Sequence, residues 1–209
     1  MAITAQLPIT LDVATVKRLV VRPEGELSED EFFDFCQQHA LFRIERNADG
    51  EIIIMAPVVL EGGFNEYQVA LQLGNWAERD GRGFAFGPNT GITFPDGSTL
   101  SPDAFWITKD QWRAVPRKQR KQFARIVPPF VIEIRSETDR RKDLHEKMLT
   151  YLRNGVKLGW LIDPIVRKVS IYKSNEPPIE VDDPSGVEGE APVAGFVLDL
   201  KAIYDQLEQ

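Results

Sequence analysis

The sequence predicts a mixed α/β domain in which a central mixed β-sheet is flanked by helices, an α+β-like arrangement. Three observations predict it. Helix and strand signals follow one another in the order helix, hairpin, helix, strands, helix, strands, which suits a mixed sheet covered by helices. The run Pro129–Arg135 (PFVIEIR) is so apolar that its strand must be covered on both faces. The chain of 209 residues is enough for one substantial core and short for two, and it shows neither an internal repeat nor a linker.

The elements follow in order. Residues 1–26 have weak periodicity and form a poorly defined lead-in; 27–209 form one domain. Ser28 with Glu31 is a capping-box signature, and Phe32, Phe33, Phe35 and Cys36 follow on helical spacing. LFRIER (41–46) alternates apolar and polar, Asp49-Gly50 marks a turn, and EIIIMA (51–56) returns as a strand, which predicts a hairpin. A second helix is expected over about Gly63–Glu78, then strand-like segments near Phe84–Phe86, Thr93 and Asp103–Ile107, then a short helix and a basic loop over Thr108–Arg125. Pro129–Arg135 is a strand, and Arg141–Arg153 is a helix stopped at Asn154-Gly155. Strands follow at Leu158–Ile162 and Val169–Lys173, a short edge strand at Ile179–Val181 inside the acidic Pro/Gly-rich segment 174–193, and a final helix from about Leu200 to Gln206. Gly62-Gly63 and Gly81-Arg82-Gly83 read as turn glycines.

Composition narrows the classes. The apolar fraction of 43% and the charged fraction of 27% are those of a soluble globular protein. No stretch approaches the roughly 20 apolar residues that span a bilayer, so no membrane partner is expected, and the N-terminus lacks the basic-then-apolar pattern of a signal peptide. One cysteine, Cys36, can form no internal disulfide, which points to the cytoplasm. His39 and His145 stand apart from any cysteine cluster, which disfavours zinc, and no Gly-rich phosphate-binding fingerprint is present. A net charge of −7 argues against a nucleic-acid partner. Its distribution weakens that objection. Segment 174–193 holds six acids and no base, while 113–142 holds ten of the 25 Lys and Arg residues. A nearly neutral body with one basic stretch can meet a phosphate backbone, although a solvated surface is the simpler reading of such a run.

Four charged residues stand where burial is expected, and a lone buried charge requires a partner, a metal or a shifted protonation state. Glu133 interrupts the apolar strand and shares a face with Val131 and Arg135; a pair with Arg135 is the simpler account. Asp103 opens the strand DAFWI behind Ser101-Pro102, where turn chemistry would suffice. Glu66 points along the apolar stripe Val69, Ala70, Leu73, or is a first-turn acid favoured by the helix dipole. Lys147 lies on the stripe of Leu144 and Tyr151, where it can snorkel or pair with Asp143. All four simple accounts together require four coincidences. Three carboxylates and one lysine gathered at a sheet edge would instead bind a hard divalent cation, Mg²⁺ or Mn²⁺, and leave a cation beside a polarised phosphoryl group.

Ser101-Pro102-Asp103, then FVIEIRS (130–136), then Asp143, Lys147 and Tyr151, then Gly155-Val156 and Trp160-Leu161-Ile162-Asp163-Pro164, resemble the restriction endonuclease family abundant in cyanobacteria, within the PD-(D/E)xK nuclease superfamily. Glu31-Phe32, Arg43-Ile44-Glu45 and Asp49-Gly50-Glu51-Ile52 are similar too, so the resemblance runs from about Ser28 to Tyr204. It implies a restriction-endonuclease-like core preceded by the N-terminal helix and hairpin. It also implies a cation held by Asp103, Glu133 and the main-chain carbonyl of Ile134, with Glu66 supporting the metal or its water. One departure stands out: the superfamily's lysine position is Arg135, which stays protonated and cannot be a general base. In the family the lysine role moves to the next helix, which selects Lys147.

The expectation is a Mg²⁺- or Mn²⁺-dependent endonuclease acting on DNA, with Glu66, Asp103, Glu133 and Lys147 catalytic and with Arg135, Arg140 and Arg141 on phosphates. A homodimer would cut both strands. The rival expectations are a nucleic-acid-binding module with an inactive site, and an interaction domain that keeps only the fold.

Overall fold

The computed structural model describes residues 18–205. Residues 1–17 of the lead-in and Gln206 of the expected last helix lie outside the described residues. Strand β1 (Arg18–Val21) lies in the stretch expected to be lead-in. Helix α1 (Glu29–Gln38) starts where the capping box places it: Glu31 N–H donates to Ser28 Oγ, and the Glu31 carboxylate accepts from Ser28 N–H. The hairpin forms as expected from β2 (Arg43–Arg46) and β3 (Ile52–Met55). Helix α2 (Leu60–Asp80) is longer than expected. Gly62 and Gly63 lie inside it and form no turn, whereas Gly81, at φ 72°, closes it in the left-handed region that glycine adopts without steric cost.

Strands β4 (Gly83–Phe86), β5 (Ile92–Thr93), β6 (Thr99–Leu100) and β7 (Ala104–Thr108) follow. Next come α3 (Lys109–Ala114), a 3₁₀ turn (Gln119–Lys121), β8 (Ala124–Arg125), β9 (Phe130–Ile134) and α4 (Arg141–Arg153). The chain continues through β10 (Leu158–Asp163), β11 (Lys168–Lys173), β12 (Ile179–Asp182), β13 (Gly186–Glu188), β14 (Val197–Asp199) and α5 (Lys201–Tyr204).

Where one central sheet was expected, the strands make two six-stranded mixed sheets and a ribbon, β13–β14. The core sheet runs β12-β11-β10-β9-β7-β4, with β9 and β10 parallel and its other pairs antiparallel. The second sheet runs β1-β3-β2-β6-β5-β8. The hairpin is its centre, and two-residue strands from the connections extend it.

All five residues of β9 are buried, as its composition requires. Its side chains alternate. Phe130, Ile132 and Ile134 pack with Val69, Leu73 and Trp76 of α2, while Val131 packs with Leu144, Met148 and Tyr151 of α4. The ribbon and α5 close the α2 side through Phe196, Leu198 and Ile203. Glu133 therefore faces α4. A third, smaller core of Phe32, Ile44 and Ile52 ties α1 to the hairpin. Among the described residues no helix is long and apolar enough to cross a membrane.

Candidate active site

The site lies at the seam of the two sheets. Strand β9 presents Glu133, and the turn ahead of β7 presents Asp103; both are almost wholly buried. Asp103 Oδ2 accepts from the Ile134 N–H at 2.8 Å, which fixes the aspartate beside the Glu133–Ile134 peptide. Helix α4 presents Lys147 and Tyr151, one turn apart on the same face. Tyr151 donates its hydroxyl to Glu133 Oε1 at 2.6 Å, and Lys147 Nζ lies 3.0 and 3.1 Å from the two Glu133 oxygens. Helix α2 brings Glu66 to the same place, with its side chain 12% exposed. The structure thus gathers Glu66, Asp103, Glu133 and Lys147, and in two cases displaces the simpler partner. Glu133 pairs with Lys147 rather than Arg135, and Asp143 pairs with Arg18 rather than Lys147.

Two further charged residues come from β2. Arg43 and Glu45 share one face of that strand, opposite Ile44, and that face turns inward onto the core sheet. Glu45 Oε1 accepts from Lys147 Nζ at 2.9 Å and from the Ser101 N–H at 2.9 Å. The Arg43 guanidinium donates to Asp103 Oδ1 at 2.9 Å, to the Ser101 carbonyl at 2.5 Å and to Glu66 Oε1 at 3.3 Å. Sequence reasoning missed both. The alternation of LFRIER identifies two faces of a strand but not which one is wet. It also missed Tyr151 as a polar partner, because a tyrosine on an apolar stripe reads as core. Two charges of opposite sign two residues apart, Arg43 and Glu45, were the available signal.

Charge balance decides the electrostatics. Four carboxylates face two cations, so the buried cluster has two more acids than bases. Burial pushes the Glu133 carboxyl up to about 7, with nearby Asp103 adding to the rise against the pull of Lys147. Burial and the charge of Asp103 raise Glu66 to about 7 as well, against Arg43. Glu45 goes the other way: burial opposes ionisation, but Lys147, Arg43 and the Ser101 N–H override it and lower its pKa. Burial likewise opposes the charge of Lys147, yet Glu133 and Glu45 raise its pKa and keep it an ammonium. Burial and Glu133 hold Tyr151 well above its usual range, as a phenol that donates.

The donor set fits a hard divalent cation. Its oxygens are carboxylate oxygens, and its charge deficit is that of one such ion. Among the described residues no three His, Cys, Asp or Glu side chains form a ready-made cage. Mg²⁺ needs only one or two carboxylates and keeps several waters. Arg43 occupies the Asp103 oxygen that does not face Ile134.

The three arginines expected on phosphates lie outside this cluster. Arg135 donates to Asp163 at 3.0 and 3.3 Å, which removes it from the acids of the site. Arg141 lies 3.4 Å from both Asp163 and Glu180, and Arg140 is exposed at the N-cap of α4. Much of the basic stretch is likewise engaged: Arg113 with Asp110, Arg125 with Glu29, and Arg120 over the Trp112 ring at 4.3 Å.

Comparison with known proteins places the chain in a family. The model of the Uma2 family, described as "Putative restriction endonuclease", matches residues 29–201, which hold all seven residues of the cluster. Among solved structures, the chain is similar to a putative nuclease belonging to DUF820 from Anabaena variabilis. The TM-score is 0.66 at 22% identity, over 87% of this chain and 99% of that one, which is a likeness of fold. A DrdV–DNA complex matches at 18% identity and a TM-score of 0.36, over 55% of this chain and 9% of that one. No curated protein matches.

Proposed function

This chain belongs to the Uma2 family, and we propose that its buried cluster is the active site of a Mg²⁺- or Mn²⁺-dependent endonuclease that hydrolyses phosphodiester bonds in DNA. The observation that carries the proposal is the charge deficit: three buried acids and the partly buried Glu66 against two partly buried bases, Arg43 and Lys147, within a nuclease fold. Asp103, Glu133 and the Ile134 carbonyl would hold the cation, and Glu66 would support it or its water. When bound, the cation polarises a phosphoryl oxygen and lowers the pKa of a coordinated water.

The chain's own residues divide the remaining work. Lys147, pinned by Glu133 and Glu45 and kept charged, is a poor base and a good electrostatic stabiliser; its ammonium would offset the charge that grows on the phosphate oxygens. Glu66, the most exposed acid of the cluster, is suited to orient the attacking water or take its proton. Tyr151 fixes the rotamer of Glu133, so the carboxylate meets its partners already oriented. Cutting both strands of a duplex calls for two such sites, which a homodimer would supply.

One observation favours a second reading, an inactive binding or interaction module: most of the expected phosphate-contacting arginines are spent on acids. Nicking of supercoiled plasmid separates the two. The nuclease reading expects cleavage in Mg²⁺ or Mn²⁺, none in EDTA, and a loss of roughly 10²–10³-fold or more in Asp103→Ala and Glu133→Ala. Cleavage that survives both substitutions, or a chain that binds Mn²⁺ and DNA yet leaves every plasmid and linear duplex intact, would sink it.

A further inference from the structure

Arg43 is placed where no charge-neutralising role fully explains it. Its two Nη groups are used on Asp103, Glu66 and the Ser101 carbonyl, but its Nε is buried with no hydrogen-bond partner. An unmade bond at a buried donor is unfavourable; Arg46 Nε is unpaired too, but Arg46 lies over the Phe32 ring and does not line the groove that Arg43 lines. The residue also lines an open groove with Phe42, Val58, Glu66 and Ser101, so an anion can reach it. Its guanidinium is the planar fork that grips a phosphate through Nε and Nη together. And it covers Asp103 Oδ1, an oxygen that a cation at this site would need.

Resting on the metal-site reading above, we propose that Arg43 is a two-position residue. Without a cation it sits on Asp103 and Glu66 in the cation's stead; once a divalent cation takes Asp103, Arg43 turns its Nε–Nη edge to a phosphate of the bound nucleic acid. It is thus a competitor of the cation and a carrier of the substrate. Neither function requires the motion of an element, because the swing is confined to one long side chain on the fixed strand β2.

The two functions have opposite signatures, and both can be read without turnover. Mn²⁺ titrated calorimetrically into Arg43→Ala binds about tenfold or more tighter than into the wild type, because the competing charge is gone. In Ca²⁺, a short fluorescein-labelled duplex binds Arg43→Ala about tenfold more weakly, and the slope of log affinity against log salt falls by about 0.9, one phosphate contact. Arg43→Lys retains the slope but loses the two-pronged grip, and it serves as the second variant should the alanine chain unfold. Mn²⁺ affinity that is unchanged or weakened in folded Arg43→Ala, or a duplex affinity and salt slope that match the wild type, overturns the proposal. A wild-type chain that binds no Mn²⁺ overturns the function as well; a wild type that binds Mn²⁺ and duplex with an indifferent Arg43→Ala overturns this inference alone.

Discussion

Lys147 shows how a single side chain is fixed by its surroundings. It neutralises two buried acids, Glu133 and Glu45, and its own stem lies in the core face of α4. Replacing it by methionine preserves the volume and leaves both carboxylates without a cation. We expect a loss of about 3–5 kcal/mol in stability, read from urea unfolding, and partial recovery when Mn²⁺ is added. The same imbalance gives a pH signature. Glu66 and Glu133 have folded-state values of about 7, above the ordinary carboxylate value, so between about pH 4.5 and 7 the folded chain binds more protons than the unfolded one. In EDTA, stability is therefore expected to fall as pH rises across that window, and the double substitution Glu66→Gln, Glu133→Gln should flatten the fall. These residues were legible in the sequence because a charge inside an apolar pattern is conspicuous. Arg43 and Glu45 were not, because a strand that alternates apolar and polar looks the same whether its polar face meets water or a buried site.

At the scale of elements, β9 and β10 run parallel and their ends are joined by Arg135 and Asp163. The position where the sequence resemblance expects a lysine is thus a strut between strands. Restoring it by Arg135→Lys in a Lys147→Ala background is expected to rescue no activity, because Asp163 holds the side chain away from Glu133; cleavage recovered to within about tenfold of wild type would refute this. Strand β4 gives a cleaner test of packing. A Cβ on Gly83 would meet the Ile107 carbonyl oxygen at 2.1 Å and the Trp106 ring at 2.4 Å, and neither can yield cheaply. Gly83→Ala should cost about 1–3 kcal/mol in stability without changing Mn²⁺ affinity. Composition alone read Gly83 as a turn glycine, since the close approach of β7 is a tertiary fact. The ribbon β13–β14 escaped for the converse reason: β13 lies in the acidic, Gly- and Pro-rich segment, β14 is three residues long, neither has a period to detect, and the ribbon is ordered by Phe196 and Leu198 packing beneath α2. The strands β5, β6 and β8 are two residues long, too short for any alternation.

For the whole molecule, the important arrangement is two sheets meeting at one charged seam. The core sheet supplies Asp103 and Glu133, the hairpin sheet supplies Arg43 and Glu45, and helices on opposite faces supply Glu66 and Lys147. Folding itself builds a site with four acids and two bases, an imbalance that a divalent cation would neutralise. The same arrangement leaves oligomeric state to the surface, and light scattering on the full chain should report twice the 23.7 kDa monomer mass if double-strand cutting is done by a homodimer. The most direct test of the central claim is calorimetric titration of Mn²⁺ into the wild type, Asp103→Asn and Glu133→Gln. One ion bound per chain is expected for the wild type, with an affinity at least about tenfold weaker in each variant; no binding by the wild type, or an affinity that neither substitution changes, would rule out a metal site on these two acids.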